Sequence, residues 1–225
     1  MYKNKKIVAL IPARAGSKSI PGKNHHLLAG KPLVWWTFQA AKKCFLIDAI
    51  FCSTDDVKVT QVAHSCSIEV LSRPKHLAKD TTSMRSVLLH VLAQLKRKNV
   101  SFDYLVLLQP TSPLRTANDI CKAIKKAVTQ NSRSLATVTP LPLRPGLLLC
   151  GKKKQTDLRT HSLAPQYADI RRQKSPSLYY VNGAIYVWKK SLISTHIPLN
   201  APEHGIMLAP EHTIDIDNIE DLQKC

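Results

Sequence analysis

Three cations and two glycines fall within "RAGSKSIPGKN", Arg14 to Asn24. A P-loop sets four residues between its first glycine and a Gly-Lys-Ser/Thr end. Here five separate Gly16 from Gly22-Lys23, and Asn24 stands at the hydroxyl position. The next helix is expected only near Pro32, so a phosphate would rest on the loop's own amides and on Arg14, Lys18 and Lys23. Gly16 and Gly22 permit successive amides to face one way. The alternative is a mobile basic surface loop.

Two further stretches carry usable chemistry. In "TIDIDN", Thr213 to Asn218, an extended backbone places Asp215 and Asp217 on one face and Ile214 and Ile216 toward the core. Two carboxylates so placed suit a magnesium ion shared with substrate phosphates, or form a solvated strand edge. In "LLQPTSPLRT", Leu107 to Thr116, Gln109, Thr111 and Ser112 offer amide and hydroxyl groups at a proline-fixed turn. That stretch also reads as a rigid connection in which Thr116 caps the next helix.

The elements that would position these residues follow from periodicity. "KIVALI", "DAIFCST", "IEVLSR", "YLVLLQP" and "SLATVTPL" are apolar runs of strand length, continuous as in strands buried on both faces. Between them lie helical stretches: "PLVWWTFQAAKKC" with Pro32 at its first position, and "DVKVTQVAHSC" capped by Asp55 or Asp56. The third, "DTTSMRSVLLHVLAQLKRKN", has Asp80, Thr81 and Thr82 available as caps, and "TANDICKAIKKAVTQN" follows "YLVLLQP". The alternation predicts an α/β fold with a Rossmann-like, mostly parallel, doubly wound sheet and ligands at the carboxyl ends of its strands. One domain over 1–225 is expected, with 140–180 an arm or excursion where prolines and basic residues break the pattern. "LYYVNGAIYVW" is then an extended segment, turning at Asn182-Gly183, and "TIDIDN" a last strand before a short helix.

A net charge of +18 attracts anions without choosing among them. The chain lacks a recognition motif or an aromatic series for stacking bases, with aromatics at 6%, which argues against a basic nucleic-acid-binding protein. Cys44, Cys52, Cys66, Cys121, Cys150 and Cys225 form no Cys-x-x-Cys pair and read as reduced thiols. With no signal-peptide pattern and no apolar run of membrane length, a cytoplasmic location and no membrane insertion are expected.

"IPARAGSKSIPGKN", "STDD", "LSRP", "DTTS", "LLQPTSPLRT", "NGAIYVW" and "IDIDN" together resemble the acylneuraminate cytidylyltransferases, the CMP-sialic acid synthetases and their relatives acting on legionaminic and other nonulosonic acids. The resemblance runs from Ile7 to Leu222. It implies that CTP and a nine-carbon 2-keto sugar acid give the CMP-sugar and pyrophosphate, with magnesium, in a homodimer serving lipopolysaccharide or capsule biosynthesis. It further implies that Arg14, Gly16, Ser17, Lys18, Lys23, Asn24, Arg73 and Ser83 bind the nucleotide, and that Arg14, Lys23 and Asp217 act in catalysis. Gln109, Arg172, Asn182 and Tyr186 would then face the sugar, and Asp215 and Asp217 the metal. Two sugar-side positions depart from the family pattern: "LRPGLL" puts Arg144 before the proline and Leu147 where a lysine is usual, and Tyr180 replaces a basic residue. An octulosonic acid is the alternative acceptor, and a catalytically dead relative is opposed by Arg14, Lys23, Asp215 and Asp217.

Overall fold

The computed structural model describes residues 1–17, 19–143, 145, 148–150, 161–162, 164–167, 169–195, 198–199 and 201–225. Lys18, Arg144 and Leu147 lie outside the described residues, as does part of the expected 140–180 excursion.

Seven strands form the main sheet: β1 Ile7–Pro12, β2 Ala49–Thr54, β3 Glu69–Ser72, β4 Tyr104–Leu108, β5 Ser134–Leu141, β6 Leu178–Lys189 and β7 His204–Met207. Their order is β7-β5-β6-β4-β1-β2-β3. Only β6 runs against its neighbours, antiparallel to both β4 and β5. The helices are α1 Leu33–Lys43, α2 Val57–Ser65, α3 Met84–Arg97, α4 Ala117–Thr129, α5 Lys190–Ile193 and α6 Ile219–Gln223. The expected mostly parallel, doubly wound sheet is thus the one formed.

Both faces are covered, which is why the strands read as unbroken apolar runs. Ile7, Ala9 and Ile11 of β1 pack with Phe38 and Ala41 of α1, Val59 and Ala63 of α2, and Ile120 and Ile124 of α4. Val8 and Leu10 face the opposite way, into Leu88, Val91 and Leu95 of α3 and Leu192 and Ile193 of α5. From β1 the chain builds outward through β2 to β3, then returns to add β4 on the other side of β1. Loops leaving β1 and β4 diverge there, and a crevice opens at their carboxyl ends.

Caps explain several helix starts. Asp56 accepts from the Lys58 and Val59 amides at 2.8 and 3.3 Å, and Thr116 and Asp119 form a reciprocal capping box on α4. Four local expectations need correction. Ser83, rather than Asp80, Thr81 or Thr82, caps α3, accepting from the Ser86 amide at 3.1 Å, and Pro32 sits just outside α1, which begins at Leu33.

Asn182-Gly183 does not turn the chain. β6 stays continuous and bulges there: Val181 pairs with Val138 and Tyr186 with Ala136, so five steps on β6 match two on β5. Gly183 takes φ +81° within the bulge, the left-handed freedom that makes Asn-Gly look like a hairpin signal. The Asn182 amide is used inside the bulge, accepting from the Thr137 hydroxyl at 2.6 Å and the Ala184 amide at 3.2 Å and donating to Thr139 at 3.1 Å.

Finally, "TIDIDN" joins no strand. The Ile216 amide donates to the Thr111 carbonyl at 2.8 Å and the Asp217 amide to the Asp221 carboxylate at 3.0 Å, so these groups go to a loop and a side chain instead of a ladder. No described helix is long and apolar enough to cross a membrane.

Candidate active site

The loop after β1 is fastened rather than free. The Ala15 amide donates to Asp55 at 2.9 Å, and the Asn24 side chain donates to the Arg14 carbonyl at 2.8 Å, drawing the loop's two ends together. Gly22 adopts φ +67°, and a Cβ there would meet the His25 ring at 2.4 Å. That ring in turn sits 3.1 Å from Asp56, the cap of α2. Gly16 is exposed, with open space where a side chain would lie, and Ser17 Oγ accepts from the Ile20 amide at 3.4 Å.

A cleft of about 220 Å³ opens beside this loop, lined by Arg14, Gly16, Ser17, Lys23, Asn24, Arg73, Met84, Gln109 and Thr111 among others. Eight of the residues singled out from the sequence, Thr111 among them, therefore meet at one crevice, between the ends of β1 and β4. Ser83 is not in that lining; it is exposed at the start of α3, next to Met84. The Arg172 side chain and Lys18 lie outside the described residues.

The cleft's charge is positive and partly buried. Arg73 donates from Nη2 to the Ser53 carbonyl at 2.8 Å and from Nε to the Ser53 hydroxyl at 3.1 Å. Burial lowers its pKa, Asp55 opposes that, and the positive charge of Arg14 adds to the lowering. Arg14 pairs with Asp80 at the rim. Two guanidinium groups that repel one another across a concave surface make a receptor for a multiply charged anion.

Lys23 links the two halves of the site. Its side chain is 11% exposed, and its ammonium donates to the Ile216 carbonyl at 2.7 Å and stands 3.7 Å from Asp217. The carboxylate of Asp217 is open to solvent at 80%. Asp215 is half-buried and its Oδ1 is sealed without a hydrogen-bond partner among the described residues. Burial raises the Asp215 pKa, the Thr111 side chain beside it opposes the shift, and the Asp217 charge adds to it. Tyr186 stacks on Trp188 with ring centroids 5.2 Å apart. Its phenol is raised by burial and by the Asp215 charge, which places it on the acid side of the site.

Gln109 lies where the halves join. A Cβ on Gly183 would come within 2.6 Å of Gln109 Oε1, so the bulge of β6 rests directly on this side chain. Sequence reasoning did not foresee three supporting groups: Ser53 under Arg73, Asp80 against Arg14 as a partner, and Asp221 holding the Asp217 amide. Of these, Asp221 left a readable signal, since Asn218 and Asp221 have the spacing of a capping box.

A doubly wound sheet with a cationic crevice at its switch point, faced by two carboxylates, defines a nucleotide-handling α/β protein. The sequence profile of the cytidylyltransferase family matches residues 8–221, and the chain belongs to that family. It is 34% identical over 220 residues to the CMP-N,N'-diacetyllegionaminic acid synthase of Legionella pneumophila, covering 94% of this chain and 91% of that one. It is 30% identical to an N-acylneuraminate cytidylyltransferase of Streptococcus agalactiae over 96% of this chain, and spans only 51% of that enzyme. In fold it resembles a CMP:2-keto-3-deoxy-manno-octonic acid synthetase solved with CTP, with a TM-score of 0.72 at 19% identity, covering 97% and 96% of the two chains.

Proposed function

We propose that the chain transfers the cytidylyl group of CTP to the anomeric hydroxyl of a nonulosonic acid of the legionaminic and sialic class, releasing pyrophosphate. The observation that carries this reading is that Arg14, Lys23, Arg73 and Gln109 line one cleft and that Lys23 joins it to the Asp215–Asp217 segment, 3.7 Å from Asp217. In the reaction a bond forms between the anomeric oxygen and the α-phosphorus, and the α-phosphorus to bridging-oxygen bond breaks. Pyrophosphate departs with the electron pair, and the hydroxyl proton passes to the Asp217 carboxylate. Such a transfer needs little covalent help from the protein: it needs in-line placement and positive charge where pyrophosphate develops.

The residues divide the work. Arg14, Lys23 and the amides around Gly16 and Ser17 hold the triphosphate, and Lys18 joins them; Asn24, Arg73 and Ser83 serve the nucleoside side. Asp215 and Asp217 present hard oxygen donors, one of them without a partner among the described residues, a set that fits a magnesium ion. When bound, that ion neutralises phosphate charge. Gln109, Tyr186 and the Asn182-pinned bulge face the sugar, and Arg172 pairs with its carboxylate. The reading includes a homodimer in which the 140–180 stretch reaches the neighbouring subunit's acceptor site; a strict monomer with full activity would remove that part.

Acceptor identity is tested by kcat/KM with CTP for N,N'-diacetyllegionaminic, N-acetylneuraminic, pseudaminic and octulosonic acids. One nonulosonic acid should exceed the octulosonic acid by about tenfold or more, because a site built to bond the extra substituents leaves its polar groups unpaired without them. Preference for the octulosonic acid would reject the nine-carbon assignment. Gly183→Ala should also lower turnover, by roughly tenfold, with the thermal midpoint falling by the equivalent of about 1–2 kcal/mol, since the new Cβ both collides with Gln109 and strains a positive φ. Kinetics and melting of that variant check the joint.

A further inference from the structure

Arg115 is a buried cation, 2% exposed, whose hydrogen bonds among the described residues go to neutral oxygens. Its Nη1 donates to the Gln109 carbonyl at 3.1 Å and to the Ala184 carbonyl at 2.7 Å, and its Nη2 to the Thr37 hydroxyl at 2.8 Å. Nε has no partner. These acceptors belong to three elements: the end of β4, the bulge of β6 and the buried face of α1. Burial pulls the guanidinium pKa down to about 9, with Asp119 opposing. Apolar packing of similar volume often matches or exceeds a buried ion in stability, so stability alone does not account for this one.

What the guanidinium ties together is the sugar-facing half of the cleft. Gln109 lines the cleft, and Ala184 follows Gly183, whose Cα abuts the Gln109 side chain. Thr111, two residues beyond Gln109, receives the Ile216 amide and so suspends the Asp215–Asp217 segment. The cations of the nucleotide half stand elsewhere: Arg14 and Lys23 follow β1, and Arg73 follows β3.

Resting on the cytidylyl-transfer reading above, we infer that Arg115 is a positioning residue for the acceptor: it locks the end of β4 to the β6 bulge and thereby sets Gln109 and, through Thr111, the two carboxylates. It touches no substrate. Its planar fork spans acceptors that a lysine's single ammonium cannot reach together.

The test uses the full chain as Arg115→Lys, Arg115→Ala and Thr37→Val, reading CTP Kd by calorimetry, acceptor kcat and KM separately, and thermal midpoint. Arg115→Lys should keep CTP Kd within about threefold while acceptor kcat/KM falls roughly 30-fold, mostly in kcat, as expected when placement and not binding is lost. Thr37→Val, on α1 and away from the cleft lining, should give the same pattern at several-fold size. Millimolar methylguanidinium should restore part of the Arg115→Ala activity and leave the wild type unchanged. If Arg115→Ala does not fold, the other two variants decide. Wild-type acceptor kinetics in Arg115→Lys, or CTP affinity lost in the same proportion as turnover, would overturn the assignment alone. A wild-type protein that turns over no CTP with any acid would overturn the cytidylyl-transfer reading, and this one with it.

Discussion

Asp215→Asn is expected to lose about 10³-fold in turnover, on the order of 4 kcal/mol of transition-state stabilisation, while its thermal midpoint at neutral pH rises by a few degrees. The two effects come from one cause. Asp215 is half-buried with one oxygen sealed and unpartnered among the described residues, and burial raises its pKa, followed among the raising influences by the charge of Asp217. The folded state therefore holds the Asp215 proton more tightly than the unfolded chain does. Stability is lost as pH climbs from the ordinary aspartate range through the raised value, and at neutral pH the native state carries the full burden of the charge. An amide of the same shape removes that burden and, with it, the carboxylate the reaction uses, the exchange of stability for activity seen where active sites hold destabilised groups. The thermal midpoint of the metal-free wild type should accordingly fall as pH climbs through the raised Asp215 value. Melting curves at two pH values and pyrophosphate assays read all three consequences; a variant that turns over normally, or melts lower at neutral pH, contradicts the argument.

Lys23→Met should cost 10²–10³-fold in kcat/KM for CTP, about 3–4 kcal/mol. The side chain is nearly buried, and its ammonium holds the Ile216 carbonyl at 2.7 Å with Asp217 at 3.7 Å. Methionine fills the volume but leaves that carbonyl unpaired, at a cost of about 1–3 kcal/mol, and withdraws a positive charge from the triphosphate. Both the nucleotide half and the carboxylate half should feel it, so CTP Kd and kcat should worsen together, unlike the split expected for Arg115→Lys. Lys23→Arg, which keeps the charge with a larger head, should fall between. Titration of CTP alongside steady-state kinetics distinguishes these cases.

Much of the framework could be read from the chain because its signals are local. The apolar runs of β1 and β4 and the Thr116–Asp119 capping box lie within a few residues of their consequences, and the β/α alternation then says which loops share the carboxyl edge. The strand His204–Met207 escaped notice: it is short, contains Gly205 against the Val138 side chain, and sits at the sheet edge, where periodicity is weakest. "TIDIDN" failed the other way, since its perfect alternation is satisfied by one pinned isoleucine, Ile216, and not by a ladder. The bulge at Gly183 used the conformation of a turn residue without turning.

In the site, the loop residues were legible by type and position, but their partners were not. Arg115 stands in a conspicuous motif, while the oxygens it holds at Ala184 and Thr37 are 69 and 78 residues away. Ser53 under Arg73 and Ile216 over Lys23 are likewise tertiary facts, with sequence separations of 20 and 193. The cleft lining holds Arg14, Lys23 and Arg73, a small part of the cations behind the +18 charge.

The central claim is the bond that breaks. Phosphorus NMR of CTP with the preferred nonulosonic acid and magnesium, followed to completion with the purified chain, should show one pyrophosphate and one CMP ester formed per CTP consumed. Orthophosphate with CDP, or CTP left intact beside every acid offered, would contradict attack at the α-phosphorus and with it the proposed function.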